Sequence, residues 1–304
     1  MTDQHGFELL ETRRIEEIDT TAHLYRHRAT GAELLSLENG DENKVFGITF
    51  RTPPANSTGI AHILEHSVLC GSRKYPLKEP FVELLKGSLQ TFLNAMTYPD
   101  KTCYPVASTN LQDFYNLVDV YLDAVLFPRI TPEILQQEGW HYELNDASEP
   151  LRYKGVVFNE MKGANSSPER VLYRAINTSL FPGHVYGVDS GGDPAVIPDL
   201  TYEQFKSFHE RFYHPSNARI FFYGDDPPAE RLRLLDAVLS EFAARQPDSA
   251  IPLAPRIDTP RRVEERYSTS DQDGAKGFVT VNWMLGEISD PELMLGLGIL
   301  EHIL

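Results

Sequence analysis

The chain reads as a mixed fold of helices and strands, and three observations carry this. Turn-bounded runs rich in apolar, β-branched or aromatic residues recur at 32–37, 45–52, 91–97, 102–106, 218–223 and 276–283. Between them lie helical patterns, the longest marked by Leu111, Phe114, Leu117, Val118, Tyr121, Leu122 and Val125 at three- and four-residue steps. A chain of 304 residues with 41% apolar content is long enough for one large domain or two ordinary ones with a real core.

Taken in order, 7–31 is short and broken in pattern. A strand at 32–37, a turn-rich loop at 38–43 and a returning strand at 45–52, stopped by Pro53-Pro54, predict a hairpin. A helix is expected over 60–70, which holds no Gly or Pro, with Ser57, Thr58 or Gly59 as its cap. A helix near 80–86 leads to the strand at 91–97, with 102–106 as its hairpin partner. An exposed edge there would hold an extended peptide by strand addition; an inner strand is the alternative. After the long helix comes one opened by Thr131-Pro132-Glu133 and running through Trp140, with Pro at the first helical position. Helices follow at 171–180 and from Thr201-Tyr202-Glu203-Gln204, which has the capping-box spacing, to about Tyr213. A strand at 218–223 and a helix at 232–244 close this part. The prolines of 246–260 mark a linker. A strand at 276–283 and a helix from Glu292 then begin a new unit, and the chain looks cut inside that helix.

The most informative stretch is His62-Ile63-Leu64-Glu65-His66. On a helix, His62 and His66 are i and i+4, so both imidazoles leave one face and can meet at one ion. Glu65 lies three residues after His62, within reach of a water on that ion. This is the H-x-x-E-H order of the inverted zinc peptidases. Two neutral imidazoles suit zinc, and an open coordination position lowers the pKa of bound water to about 7. The alternative is a half-buried helix whose histidines sit at its rim. A second stretch, Gly155-Val156-Val157-Phe158-Asn159-Glu160-Met161-Lys162-Gly163, leads an apolar run into Glu160, a candidate third ligand among many acidic residues.

A net charge of −16 argues against nucleic acid or an anionic membrane as the main partner. Cys70 and Cys103 alone imply no disulfide framework and favour a reducing compartment. No apolar run approaches the roughly 18 residues of a spanning helix, and residues 1–7 lack signal or transit character, so the cytoplasm is expected. No phosphate-loop signature appears.

The segments 62–72, 92–100 and 155–163, with Phe208-His209 and Tyr213-His214-Pro215-Ser216-Asn217-Ala218-Arg219, together resemble the presequence protease branch of the pitrilysin and insulin-degrading enzyme family of zinc peptidases. The resemblance covers essentially the whole chain. It implies an α+β unit, a mixed sheet covered by helices, followed by the truncated start of a second similar unit. Domains would then be 1–245 (zinc-binding), 246–262 (linker) and 263–304 (the incomplete second unit). It implies that His62, His66 and Glu160 bind Zn2+, that Glu65 is the general base, and that Leu93, Asn94 and Ala95 form the edge on which substrate lies. The expected function is zinc-dependent cleavage of short unstructured peptides, such as cleaved targeting peptides. Relatives are several-fold longer, and their second half, a C-terminal part absent here, supplies an Arg and a Tyr for the oxyanion. A mature organellar form is the alternative compartment. The rival function is a non-catalytic scaffold or binding subunit of the same descent, against which the intact His62, Glu65, His66 and Glu160 argue.

Overall fold

The computed structural model describes residues 4–78, 80–268 and 277–303. The chain opens with an antiparallel pair, β1 (Phe7–Ile15) and β2 (Thr20–His27), in the region whose pattern looked broken. Only Phe7 of β1 is buried, so this strand carries no apolar alternation to read. Strands β3 (Glu33–Glu38) and β4 (Lys44–Arg51) follow, then helix α1 (Ile60–Val68) and helix α2 (Pro80–Gly87). Strands β5 (Gln90–Leu93) and β6 (Met96–Thr97) both pair antiparallel with β7 (Lys101–Ser108), interrupted at Asn94 and Ala95.

The long helix α3 (Leu111–Leu126) starts on Asn110, whose side chain accepts from the Asp113 N–H. A short α4 (Pro132–Ile134), capped by Thr131, runs into a π-helical turn over Leu135–Gly139. Then come a small hairpin of β8 (His141–Glu143) and β9 (Arg152–Lys154), α5 (Val156–Ala164) and α6 (Pro168–Leu180). Helix α7 (Tyr202–Phe212) carries the expected capping box between Thr201 and Gln204, with both bonds present. Strand β10 (Ala218–Gly224), α8 (Pro228–Leu239) and α9 (Pro291–Ile303) complete the described elements.

The main sheet runs β1-β2-β3-β10-β4-β7-β5, with β6 beside β7. It is mixed, because β10 is parallel to β3 and antiparallel to β4. The expected β3–β4 hairpin is therefore not formed. Strand β10, from some 180 residues further along, fills the space between them, and the turn-rich loop 39–43 spans that gap instead of closing a ladder. Alternate residues of the central strands, among them Phe46, Ile48, Phe50, Tyr104, Val106, Ile220 and Phe222, are buried under Phe114, Leu117, Val118, Tyr121 and Val125 of α3 and under α7 and α8. Side chains on the opposite face, such as Leu35, Val45, Phe221 and Tyr223, are half-buried or exposed. Helix α8 is anchored by Arg231, which is fully buried. Its guanidinium donates to both oxygens of Asp226 (2.6 and 3.0 Å), to Ser36 Oγ (2.9 Å) and to the carbonyls of Leu37 and Gly224.

The segment 246–262 contains no helix or strand. The strand expected at 276–283 is absent over 277–283, and residue 276 lies outside the described residues. Phe278, Val279, Val281 and Trp283 are exposed there, and a strand without a ladder partner is not stable.

Candidate metal centre

Helix α1 divides its nine residues between two tasks. Ile60, Ala61, Ile63, Leu64, Ser67 and Val68 are buried in the core. Ser67 donates its hydroxyl to the Ile63 carbonyl at 2.6 Å, which satisfies it there. His62 and His66 face outward, side chains 11% and 27% exposed, with ring centroids 5.0 Å apart. The N-cap is Gly59 in the left-handed region (φ +70°), and no side chain caps the helix. Ser57, a predicted cap, instead accepts the Asp189 N–H on its hydroxyl and the Asp193 N–H on its carbonyl. The glycine is required by close approach: a Cβ at 59 would lie 2.9 Å from the Gly191 carbonyl oxygen and 3.0 Å from Gly192 Cα. This seats the 189–193 loop directly over the start of α1.

Helix α5 buries Val157, Phe158 and Met161 and leaves Glu160 half-exposed. Glu160 Oε2 lies 3.7 Å from His62 Nε2 and 3.8 Å from His66 Nε2. One ligand atom from each of the three residues falls within 4.8 Å of the others, a spacing that one ion with bonds of about 2 Å bridges after small adjustments.

Hydrogen bonds on the far side of each ring fix what faces the gap. His62 Nδ1 is 3.0 Å from the Gly191 carbonyl, which can only accept, so Nδ1 carries the proton and Nε2 the lone pair. His66 Nδ1 is 3.3 Å from Glu138 Oε2. Burial raises the Glu138 carboxyl, but the bonds from His66 and Gln137 outweigh it and hold the group below its ordinary value, so it too is an acceptor. Two imidazole lone pairs and a carboxylate oxygen thus converge on one point. Burial opposes charging of His66, yet the bond to Glu138 and the charges of Glu65, Glu138 and Glu160 raise its pKa above the ordinary value. A donor set of two imidazoles and one carboxylate suits zinc.

Glu65, one residue before His66, is 9% exposed and is not one of the three clustered residues. Leu93, Asn94 and Ala95 lie at the outer edge of the main sheet, where β5 pairs only with β7 among the described residues. Asn94 donates its N–H to the Pro105 carbonyl (3.2 Å) and accepts from the Tyr121 hydroxyl (3.2 Å) on its own carbonyl. Just beyond them, Thr97 donates to the Ala61 carbonyl at 3.5 Å, which ties this edge to α1. Sequence reasoning missed Glu138 and Gly191, which lie 72 and 129 positions from the histidines they hold.

The sequence matches the profile of Insulinase (Peptidase family M16) over residues 51–178 and that of the Peptidase M16 inactive domain over residues 199–304. The chain belongs to peptidase family M16. It is 58% identical over 98% of its length to "Presequence protease 1, chloroplastic/mitochondrial" of Arabidopsis thaliana, covering 28% of that protein. It is 48% identical to "Protein HypA" of Clostridium perfringens (98% of this chain, 31% of that one) and 43% identical to "Presequence protease, mitochondrial" of Danio rerio (99% and 30%). Among solved structures, pitrilysin superposes with a TM-score of 0.66 at 18% identity, over 83% of this chain and 26% of its own. That likeness shows the fold, the M16 unit of mixed sheet and helices. The chain spans about 30% of the length of these curated relatives. The two profile matches do not divide the fold where they divide the sequence, since Phe205, Phe212 and Leu235 of the second share one buried cluster with Leu64, Phe114 and Val157 of the first. Among the described residues no helix is long and apolar enough to cross a membrane.

Proposed function

We propose that this chain carries the metal-bearing part of a zinc endopeptidase acting on short unstructured peptides. The observation that carries the reading is the convergence of the His62 and His66 Nε2 lone pairs with Glu160 Oε2. His62, His66 and Glu160 hold Zn2+, which when bound polarises the scissile carbonyl and acidifies a water. Glu65 accepts the proton of the attacking water and passes it to the departing amine. The edge at Leu93–Asn94–Ala95 aligns the peptide backbone as an added strand, which favours extended chains over folded ones. Residues 1–245 form the zinc-binding domain, 246–262 a linker and 263–304 the opening of a second homologous unit. The remainder of the substrate chamber comes from sequence outside this chain. A reducing compartment fits a chain whose only cysteines are Cys70 and Cys103.

The test is cleavage of an unstructured peptide of about 20–40 residues, long enough to fill an extended site, by the zinc-loaded chain. Chelator-sensitive cleavage that Glu65→Gln abolishes supports the whole reading. Zinc bound through His62, His66 and Glu160 without cleavage confines the reading to the metal centre and moves turnover to the longer protein. A chain that takes up no zinc overturns it.

A further inference from the structure

Glu138 sits in the π-helical turn Leu135–Gly139 with only 8% of its side chain exposed. A carboxylate buried to that degree needs compensation. Among the described residues no Lys or Arg pairs with it, and its ion-pair partner is His66. Its two oxygens are divided: Oε2 accepts from His66 Nδ1 at 3.3 Å, and Oε1 accepts from Gln137 Nε2 at 2.8 Å and from the Cys70 thiol at 3.5 Å. Cys70 lies four residues after His66, so these two donors come from the last turn of α1 and the residue just past its C-cap Leu69.

The turn is wedged between the helices that bear the three candidate ligands. A Cβ on Gly139 would meet Leu135 Cδ1 at 2.9 Å and Ile63 Cγ2 of α1 at 3.2 Å. A Cβ on Gly155, the residue before α5, would fall 2.1 Å from the Gly139 carbonyl oxygen. Backbone from the turn therefore touches both α1 and the start of α5, and a π turn at such a place is often tied to function.

The two imidazoles are held unequally, His62 by a neutral carbonyl and His66 by an anion. A carboxylate behind a ligating imidazole fixes its tautomer and makes the other nitrogen a stronger donor. We propose that Glu138 is the positioning residue of the metal centre: it holds His66 with Nε2 towards the ion and links α1 to the turn against which α5 starts. This rests on the reading of His62, His66 and Glu160 as zinc ligands.

The test is zinc affinity of the 304-residue chain, measured by competition with a chromogenic chelator, beside the thermal midpoint of the metal-free chain. Glu138→Gln keeps the shape and an acceptor oxygen but removes the charge. It should weaken zinc binding about 10-fold, and Glu138→Ala about 100-fold. The metal-free midpoint of the Gln variant should stay near that of the parent, while the rise on adding zinc shrinks. Unchanged zinc affinity in Glu138→Gln, with binding still lost in His66→Ala, overturns the proposal and leaves the zinc reading standing. A Gln variant whose affinity loss tracks a lowered metal-free midpoint assigns Glu138 to structure and also overturns it. A parent chain that binds no zinc overturns both.

Discussion

Gly59→Ala tests how the start of α1 serves the metal centre. An alanine in the left-handed region costs about 1–2 kcal/mol on backbone grounds alone. The new Cβ also meets two backbone atoms, the Gly191 oxygen at 2.9 Å and Gly192 Cα at 3.0 Å, neither of which can swing aside as a side chain would. The loop must retreat by about half an ångström to reach ordinary contact. The Gly191 carbonyl then draws away from His62 Nδ1, now 3.0 Å distant, to about 3.5 Å, the outer limit of a hydrogen bond. That loses about 1 kcal/mol more and frees the imidazole to turn. The expected result is a loss of about 2–3 kcal/mol in urea unfolding of the metal-free chain, with zinc bound about 10-fold more weakly in chelator competition. Gly31→Ala is the control, since Gly31 has φ +77° but a Cβ there meets nothing within 4 Å. It carries the backbone strain without the collision and should lose stability while keeping its zinc affinity. If Gly59→Ala binds zinc as tightly as Gly31→Ala, the loop does not hold His62 and the reasoning fails.

Under the proposed reading, Glu65→Gln should retain stoichiometric zinc while peptide turnover falls about 10²–10⁴-fold, the usual worth of a general base; metal analysis beside a cleavage assay decides it. Arg231→Ala strands Asp226, whose side chain is fully buried, and should cost about 3–5 kcal/mol in urea unfolding. Arg231→Ala with Asp226→Ala should cost less than the sum of the two singles, and strict additivity would contradict the pairing. His209, which donates to the Val125 carbonyl at 2.9 Å, has its pKa pushed down to about 4 by burial. Its folded value lies below the unfolded value of about 6.5, so between these the unfolded chain binds more protons. Stability from this group is complete above about pH 6.5 and is lost as pH falls towards 4, amounting to about 2 kcal/mol by pH 5. Urea midpoints at pH 7 and pH 5 should therefore differ more in the parent than in His209→Gln.

Local features of the fold were legible where the signal is local. The α3 stripe and the Thr201 capping box each sit within one run of sequence, and both formed as read. The errors are those of pairing. The loop at 38–43 has hairpin composition, but nothing between 32 and 52 announces that Ala218–Gly224 will lie between the two strands. Strand β1 escaped because a mostly exposed edge strand has no buried face to alternate with. The residues at 277–283 have strand composition without a partner, and composition alone does not make a ladder.

The candidate site divides along the same line, and the division has a physical cause. The pentapeptide was legible because one helical turn brings His62 and His66 onto one side while Ile63, Leu64 and Ser67 are committed to the core. Each position of α1 from 60 to 68 is thus either packed or aimed at the cluster. What an i, i+4 pair cannot supply is the rotation of each ring about its own bonds. An imidazole that is free to turn offers its lone pair in many directions, and an ion captures one of them only against that lost entropy. The bonds that remove this freedom come from Gly191 and Glu138, 129 and 72 positions away in sequence, which reach α1 only through the tertiary fold. Tight metal binding should therefore depend on tertiary structure. A peptide spanning residues 57–72 should bind zinc far more weakly than the folded chain, and equal affinity in the two would mean that the distant partners contribute nothing.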